Sequence, residues 1–216
     1  MAKPQPLAGK LYFSRWLIVR EHAKSERRRQ MNREEALQLL HEHVKKRSNR
    51  DHALESEAVM RAMAVRLGED PNKWGLCGLL HDIDWEECNE DASKHAAMGR
   101  QMLLDAGVDE DIAHAVGCHN HECNGYSAPD TLMAKALVPC ETVTGLIVAS
   151  VLVRPNKDIG AMKLKSIKKK FKDKSFARNC NREAIRTCEE LGVELPEFLE
   201  MSRDAIAGIQ NDLEVG

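Results

Sequence analysis

Apolar residues recur along this chain at intervals of three and four, with no clear strand alternation or hairpin signal, so the pattern predicts helix after helix. Asn32 ahead of Glu34 and Glu35 reads as an N-cap followed by an acidic first turn, opening a helix to about residue 46. Further helices are expected over 52–67, 72–82, 93–106, 109–119, 130–153, 163–171, 181–191 and 195–209. Turns such as Gly68-Glu-Asp-Pro71 and Gly107 separate them. The expected fold class is all-α: a single helical domain over residues 32–211, with a basic extension at 1–31 and a short tail at 212–216.

Several of these helices carry an ionisable residue on the apolar side, where it needs a partner. His52 lies seven residues before Val59 and so shares the stripe of Val59, Ala62, Met63 and Leu67. The helix through Leu76, Leu79 and Leu80 is apolar nearly all round, yet it runs into His81-Asp82. His95 steps with Met98 and Met102, and His119 with Ile112, Ala115 and Val116. Glu141 joins Ala134, Leu137, Val138 and Val148 on one face. His22, His41, His43 and His114 fall beside charges or off the stripes and are read as solvent-facing.

A lone inward histidine is usually satisfied by a backbone carbonyl, but six inward groups on five helices of one small domain are hard to satisfy that way. Imidazoles and carboxylates without a thiolate set suit a divalent transition metal such as Fe, Mn, Co, Ni or Zn. Six protein ligands exceed what one catalytic ion needs, so two ions bridged by Asp82 fit better.

Composition narrows the classes. The chain has 216 residues, the size of one domain, and only 4% aromatics, so its core is mostly aliphatic. The net charge of −2 hides a segregation: residues 1–30 carry eight Lys/Arg against two Glu, and residues 154–182 eleven against two Asp. No run of about 18 apolar residues is evident, and the first thirty residues lack the compact apolar core and cleavage site of an export signal. Seven cysteines, odd in number and irregularly spaced, read as reduced thiols of a cytoplasmic protein. The segment Cys118-His-Asn-His-Glu-Cys123 lacks a second ligand pair and does not read as a zinc site.

The ordered set His52, His81-Asp82, His95 in Lys-His-Ala-Ala-Met-Gly, His119 in Ala-Val-Gly-Cys-His-Asn, and a later inward carboxylate resembles the HD superfamily of metal-dependent phosphohydrolases. The two extra histidines match its binuclear branch, where both serve the second metal. The likeness continues through Lys135-Ala-Leu, Thr144-Gly-Leu-Ile-Val-Ala and Ser166-Ile-Lys-Lys-Lys-Phe, which look like a small prokaryotic group of HD hydrolases, and it spans about residues 32–201. Two positions depart. The family's last ligand is normally Asp in an Ala-Asp-Glu context, whereas here it is Glu141 in Pro139-Cys-Glu-Thr, with Pro139 expected to kink the helix. Asp84-Trp85 stands where the cyclic-dinucleotide phosphodiesterase branch has Gly-Lys, which disfavours that activity.

The resemblance implies hydrolysis of a phosphomonoester or phosphodiester by metal-bound hydroxide, with His81 and Asp82 at the chemistry and His52, His95, His119 and Glu141 completing the ligand set. Lys135, Lys172, Lys174 and Arg178 are the expected phosphate contacts. A small phosphorylated metabolite or nucleotide is the expected substrate, with no membrane partner. Nucleic acid is disfavoured because few aromatics accompany the lysine run, which is expected to encircle its helix too completely to mark one face. Two rival readings share the ligand set: a mixed-valent di-iron oxygenase of the same superfamily, and a non-catalytic nucleotide-binding module.

Overall fold

The structure, a computed structural model, describes residues 31–213. The basic extension, apart from Met31, His22 within it, and the last three residues of the tail lie outside the described residues. The described residues form ten α-helices and two short 3-10 helices, with no strand among them. In chain order the α-helices are α1 (Arg33–His43), α2 (Arg47–Leu67), α3 (Pro71–Leu80), α4 (Ala97–Asp105), α5 (Glu110–Cys118), α6 (His121–Asn124), α7 (Leu132–Leu152), α8 (Leu164–Lys172), α9 (Arg182–Arg186) and α10 (Leu195–Gly208). The all-α expectation holds.

Local chemistry sets most of the boundaries. Asn32 accepts the Glu35 N–H at 3.0 Å while the Glu35 carboxylate takes the Asn32 N–H at 2.9 Å, a reciprocal cap that fixes the start of α1. Gly68 ends α2 in the left-handed region at φ 77°. Asp70 and Pro71 start α3, Asp109 caps α5 and Thr131 caps α7.

Two boundaries differ from expectation, and both matter to the site. The helix expected over 72–82 stops at Leu80, and the one expected over 93–106 starts only at Ala97, so a succession of turns links the two. Ala96 sits at φ 70°, which a helix interior does not allow. The carboxylate of Asp84 accepts the N–H groups of Ala96 and Gly99, each at 2.8 Å, and so caps α4 from a distant part of the chain.

α7 forms the middle of the domain, packed against α2, α3, α5, α8, α9 and α10. It is long and apolar enough, by length and composition, to cross a membrane, which corrects the expectation that no run qualifies. The expectation counted unbroken apolar residues, whereas α7 mixes in Thr142, Thr144 and Ser150 and carries charge only at Lys135 and Glu141. Its Leu137, Leu146, Ile147 and Val151 are fully buried against its neighbours, as in a core helix. It runs as one helix through Pro139.

α2 and α3 approach backbone to backbone. A Cβ on Gly78 would lie 2.5 Å from the Ser56 carbonyl oxygen, so only glycine permits the approach that brings the end of α3 beside His52. Two surface expectations also change. His114 is half-buried, with Nε2 2.6 Å from Asp130 and Nδ1 3.2 Å from the Tyr126 hydroxyl, because Asp130 and Tyr126 fold back over α5. α8 is not encircled by lysine: Ile167 and Phe171 are buried on one side, and Lys170 turns back to the Ser150 carbonyl.

Glu55 is nearly buried on α2, and burial, with Asp51 nearby, pushes its carboxyl up to about 8. The unfolded chain releases this proton near the ordinary value of 4.5, whereas the folded chain keeps it to about 8. The stability tied to Glu55 is therefore complete below pH 4.5 and is lost as pH rises toward 8, by on the order of 3 kcal/mol between pH 5 and 8. Glu55→Gln removes that loss. Thermal unfolding of the variant and the parent at pH 5 and pH 8 is expected to show a gain much larger at pH 8.

Candidate metal centre

His52 projects from the second turn of α2, His81 caps α3, Asp82 follows it in the turn, His95 stands just before α4, and His119 caps α5. Glu141 comes from the middle of α7. These six residues, separated by up to 89 positions in sequence, converge. The Nε2 atoms of His52 and His81 are 3.2 Å apart, and those of His95 and His119 are 3.1 Å apart. Asp82 Oδ1 lies 3.3 Å from His81 Nε2, 3.2 Å from His95 Nε2 and 3.5 Å from His119 Nε2. Asp82 Oδ2 lies 3.6 Å from His52 Nε2, and Glu141 Oε2 lies 4.0 Å from the same nitrogen.

The outer nitrogens fix the tautomers. His81 Nδ1 donates to the Gly78 carbonyl at 2.8 Å, and His119 Nδ1 to the Val116 carbonyl at 2.6 Å. His95 Nδ1 donates to Asp84 Oδ1 at 2.9 Å. His52 Nδ1 donates to Thr144 Oγ1 at 3.0 Å, since the Thr144 hydroxyl gives its own hydrogen to the Glu141 carbonyl. Every acceptor in this set holds the proton on Nδ1, so four Nε2 lone pairs point at one another and at two carboxylates.

Such an array of facing acceptors repels itself unless a cation sits among them. Two nitrogens each about 2.1 Å from one ion, at a right angle, lie about 3.0 Å apart, close to the two pairs of distances seen here. The donors are nitrogen and oxygen only, which fits divalent transition metals. They divide into two neighbouring groups, His52 with His81 and Glu141, and Asp82 with His95 and His119.

Electrostatics point the same way. Burial pushes His81 down to about 3, against the pull of Asp82, so this imidazole stays neutral and able to ligate. Burial also opposes charge on His95, but its hydrogen bonds to Asp82 and Asp84 outweigh that and hold it up at about 9. Asp82 is kept well below the usual carboxylate range because the surrounding histidines overcome its burial. Burial raises Glu141 despite His52 beside it. With no cation, protons must fill the role.

Two cavities border this cluster and share Glu141 and Thr142 as a wall. One, of about 490 Å³, is lined by His119, Lys135, Glu141, Thr142, Asn181 and Glu190 among others. The other, of about 650 Å³, includes His52, Thr144, Ser175 and Arg178. Of the four expected phosphate contacts, Lys135 lines the first cavity and Arg178 the second. The other two expected contacts do not. Lys172 lines a separate groove on α8, and Lys174 is exposed in the following turn and lines neither cavity, because α8 carries them away from the histidines.

Several residues that shape the site were not legible as functional. Asp84, fully buried, holds His95 and starts α4 at once. Trp85 packs edge-on against the His95 ring at 4.8 Å. Asn120 and Asn124 donate to the His95 carbonyl at 3.3 and 3.1 Å. A second carboxylate inside the apolar run from Leu79 to Trp85 was the available signal for Asp84. Of the cysteine pair at 118 and 123, Cys123 is exposed, while Cys118 is buried and lies with His114 and Asp130.

Comparison with known proteins agrees with this arrangement. The HD domain profile matches residues 49–185. The chain is 28% identical over 166 residues to Ribonuclease Y of Protochlamydia amoebophila, an alignment covering 76% of this chain and 31% of that one. It is 37% identical over 85 residues to Ribonuclease Y of Thermobifida fusca, covering 39% and 17%. It is 32% identical over 94 residues to Ribonuclease Y of Nitratidesulfovibrio vulgaris, covering 44% and 17%. The aligned part spans about a third or less of these relatives. An all-α body, clustered His and Asp side chains and a profile match over most of the chain lead to one conclusion: this protein belongs to the HD domain family of metal-dependent phosphohydrolases.

Proposed function

We propose that the chain hydrolyses a phosphomonoester or phosphodiester of a nucleotide or similar small phosphorylated molecule, with two divalent ions held on either side of Asp82. The observation that carries this reading is the position of Asp82, with one carboxylate oxygen within 3.5 Å of three inward imidazole nitrogens and the other facing the fourth. His52, His81 and Glu141 would hold one ion, His95 and His119 the other, with Asp82 shared. When bound, such ions acidify a water and offset negative charge on phosphate oxygens.

The chain's own groups supply the rest. Asp84, Thr144 and the carbonyls of Gly78 and Val116 hold the imidazoles rigidly, so little reorganisation is needed when substrate arrives. Lys135 lines one cavity and Arg178 the other, with Glu141 common to both, and each would meet phosphate oxygens of a substrate bound there. Arg182 donates to the carbonyls of Phe176, Ala177 and Cys180 at 2.5 to 2.6 Å and so steadies the turn that presents Arg178. A second reading, cleavage of an RNA strand, is favoured by the names of the relatives, all Ribonuclease Y.

A screen of phosphomonoesters, nucleotides, cyclic nucleotides and short RNA, each with Mn, Fe, Co, Ni or Zn added, tests the proposal. Metal-dependent release of phosphate or nucleotide is expected, and His81→Ala is expected to lower it by about 10²-fold or more. Full activity in that variant sinks the assignment. Oxygen consumption by iron-loaded protein, with no phosphate released, would favour the oxygenase reading instead.

A further inference from the structure

α8 presents two unlike sides. Ile167 and Phe171, four residues apart, are buried in the domain. Lys165, Lys168, Lys169 and Lys172, at spacings of three and four, share one face and line an open groove together with Lys163. Among the described residues none of these five has an ion-pair partner. Three lysines elsewhere on this largely acidic body do: Lys46 pairs with Glu90, Lys73 with Asp109 and Asp111, and Lys94 with Asp91. Five unpaired charges held side by side repel one another, and a polyanion docked on them relieves that while releasing counterions.

The position of the face narrows the choice of polyanion. The chain leaves α8 at Lys172 and three residues later reaches Ser175, which lines the cleft beside His52 and Glu141. The Cα atoms of Lys172 and Ser175 are therefore no more than about 11 Å apart. Lys174 lies in that link and Arg178 in the cleft itself, so positive charge continues from the groove to the cluster of histidines. Ile167 and Phe171 are turned into the domain and Leu164 is only half-buried at the groove, so α8 lacks the broad exposed apolar face that an interfacial helix inserts into lipid. Phe176 is covered by Lys170, 4.2 Å above its ring, so it offers no open aromatic platform beside this face for reading bases.

We infer that the lysine face of α8 is a docking surface for the phosphate backbone of a single-stranded nucleic acid, held without regard to sequence and led along 172–178 toward the metal centre. The last step rests on the phosphohydrolase reading; capture of the strand does not. The disfavouring of nucleic acid on sequence grounds rested on the lack of aromatics, and backbone binding through lysine does not need them.

The test uses the full chain and a triple variant, Lys165→Glu, Lys168→Glu and Lys169→Glu, all at exposed positions. Binding of a fluorescently labelled oligoribonucleotide is followed by anisotropy across a salt series, beside vesicles containing phosphatidylserine. Turnover of p-nitrophenyl phosphate is measured in parallel. The parent is expected to bind the strand with a steep salt dependence, and the variant at least about 10-fold more weakly, with a log–log slope smaller by about 2, or 0.7 for each lost contact. Turnover of the small ester is expected to stay within about twofold. Equal strand binding by parent and variant, or binding of vesicles in place of the strand, overturns the inference. Lysine-dependent strand binding by a protein that hydrolyses no phosphoester leaves the surface standing and overturns the phosphohydrolase reading instead.

Discussion

Asp82→Asn is expected to abolish turnover, by at least about 10³-fold, and to reduce bound metal from about two ions to fewer than one per chain. The substitution keeps the shape of the side chain and removes only its charge. At this position charge is what matters, because Asp82 faces four imidazole nitrogens at 3.2 to 3.6 Å. An amide offers one acceptor in place of two and cannot neutralise two cations. The variant should fold, since the core around it is built from Leu79, Leu80, Ile83 and Val116, which it does not disturb. Circular dichroism separates a folded, inactive protein from an unfolded one, and retention of turnover by the folded variant would contradict the assignment.

The second large effect is expected at Asp84, which touches no substrate. Asp84→Asn should weaken metal binding and turnover by about 10 to 100-fold, the usual consequence of losing the carboxylate behind a ligating histidine. Its oxygens accept from His95 Nδ1 and from the N–H groups of Ala96 and Gly99. An amide can satisfy one oxygen's partners, but its NH₂ then faces a donor. The expected signature is positional: weaker affinity for one ion of the pair, with the other retained. Titration with Co²⁺, read by its visible spectrum, should resolve two phases in the parent and shift only one in the variant. Two unshifted phases would leave Asp84 a purely structural cap.

The difference between these residues bears on what a sequence can disclose. His52 and Glu141 were legible because a helix converts spacing into direction, and both sit well inside α2 and α7. His95 was found by the same logic, yet it precedes the first turn of α4; its inward orientation comes from Asp84 and from Asn120 and Asn124, which grip its backbone. Asp84 was noted only as a departure from a related branch, and its hold on His95 stayed hidden because its partners are 11 to 15 residues away across a string of turns with no period. Gly78 could not be weighed either: its importance lies in the Ser56 carbonyl that faces it, a contact between two helices. Lys172 and Lys174 were grouped with the phosphate contacts by charge alone, and only the path of α8 separates them from Arg178.

Pro139 illustrates the opposite case. A proline inside a helix removes one hydrogen bond, and a kink that displaced Glu141 was a reasonable expectation. In the structure α7 continues from Leu132 to Leu152, Thr142 places its hydroxyl 2.7 Å from the Val138 carbonyl and beside the Glu141 carboxylate, and Glu141 still faces His52. The longer side chain at this position thus reaches the cluster from an uninterrupted helix.

The central claim is that two ions flank Asp82. The most direct test is an anomalous difference map from crystals of the manganese-loaded protein. Two peaks are expected, one among His52, His81 and Glu141 and one beside His95 and His119, each within about 2.3 Å of an Asp82 oxygen. A single peak away from Asp82, or no peak at the histidines in fully loaded crystals, would contradict the account.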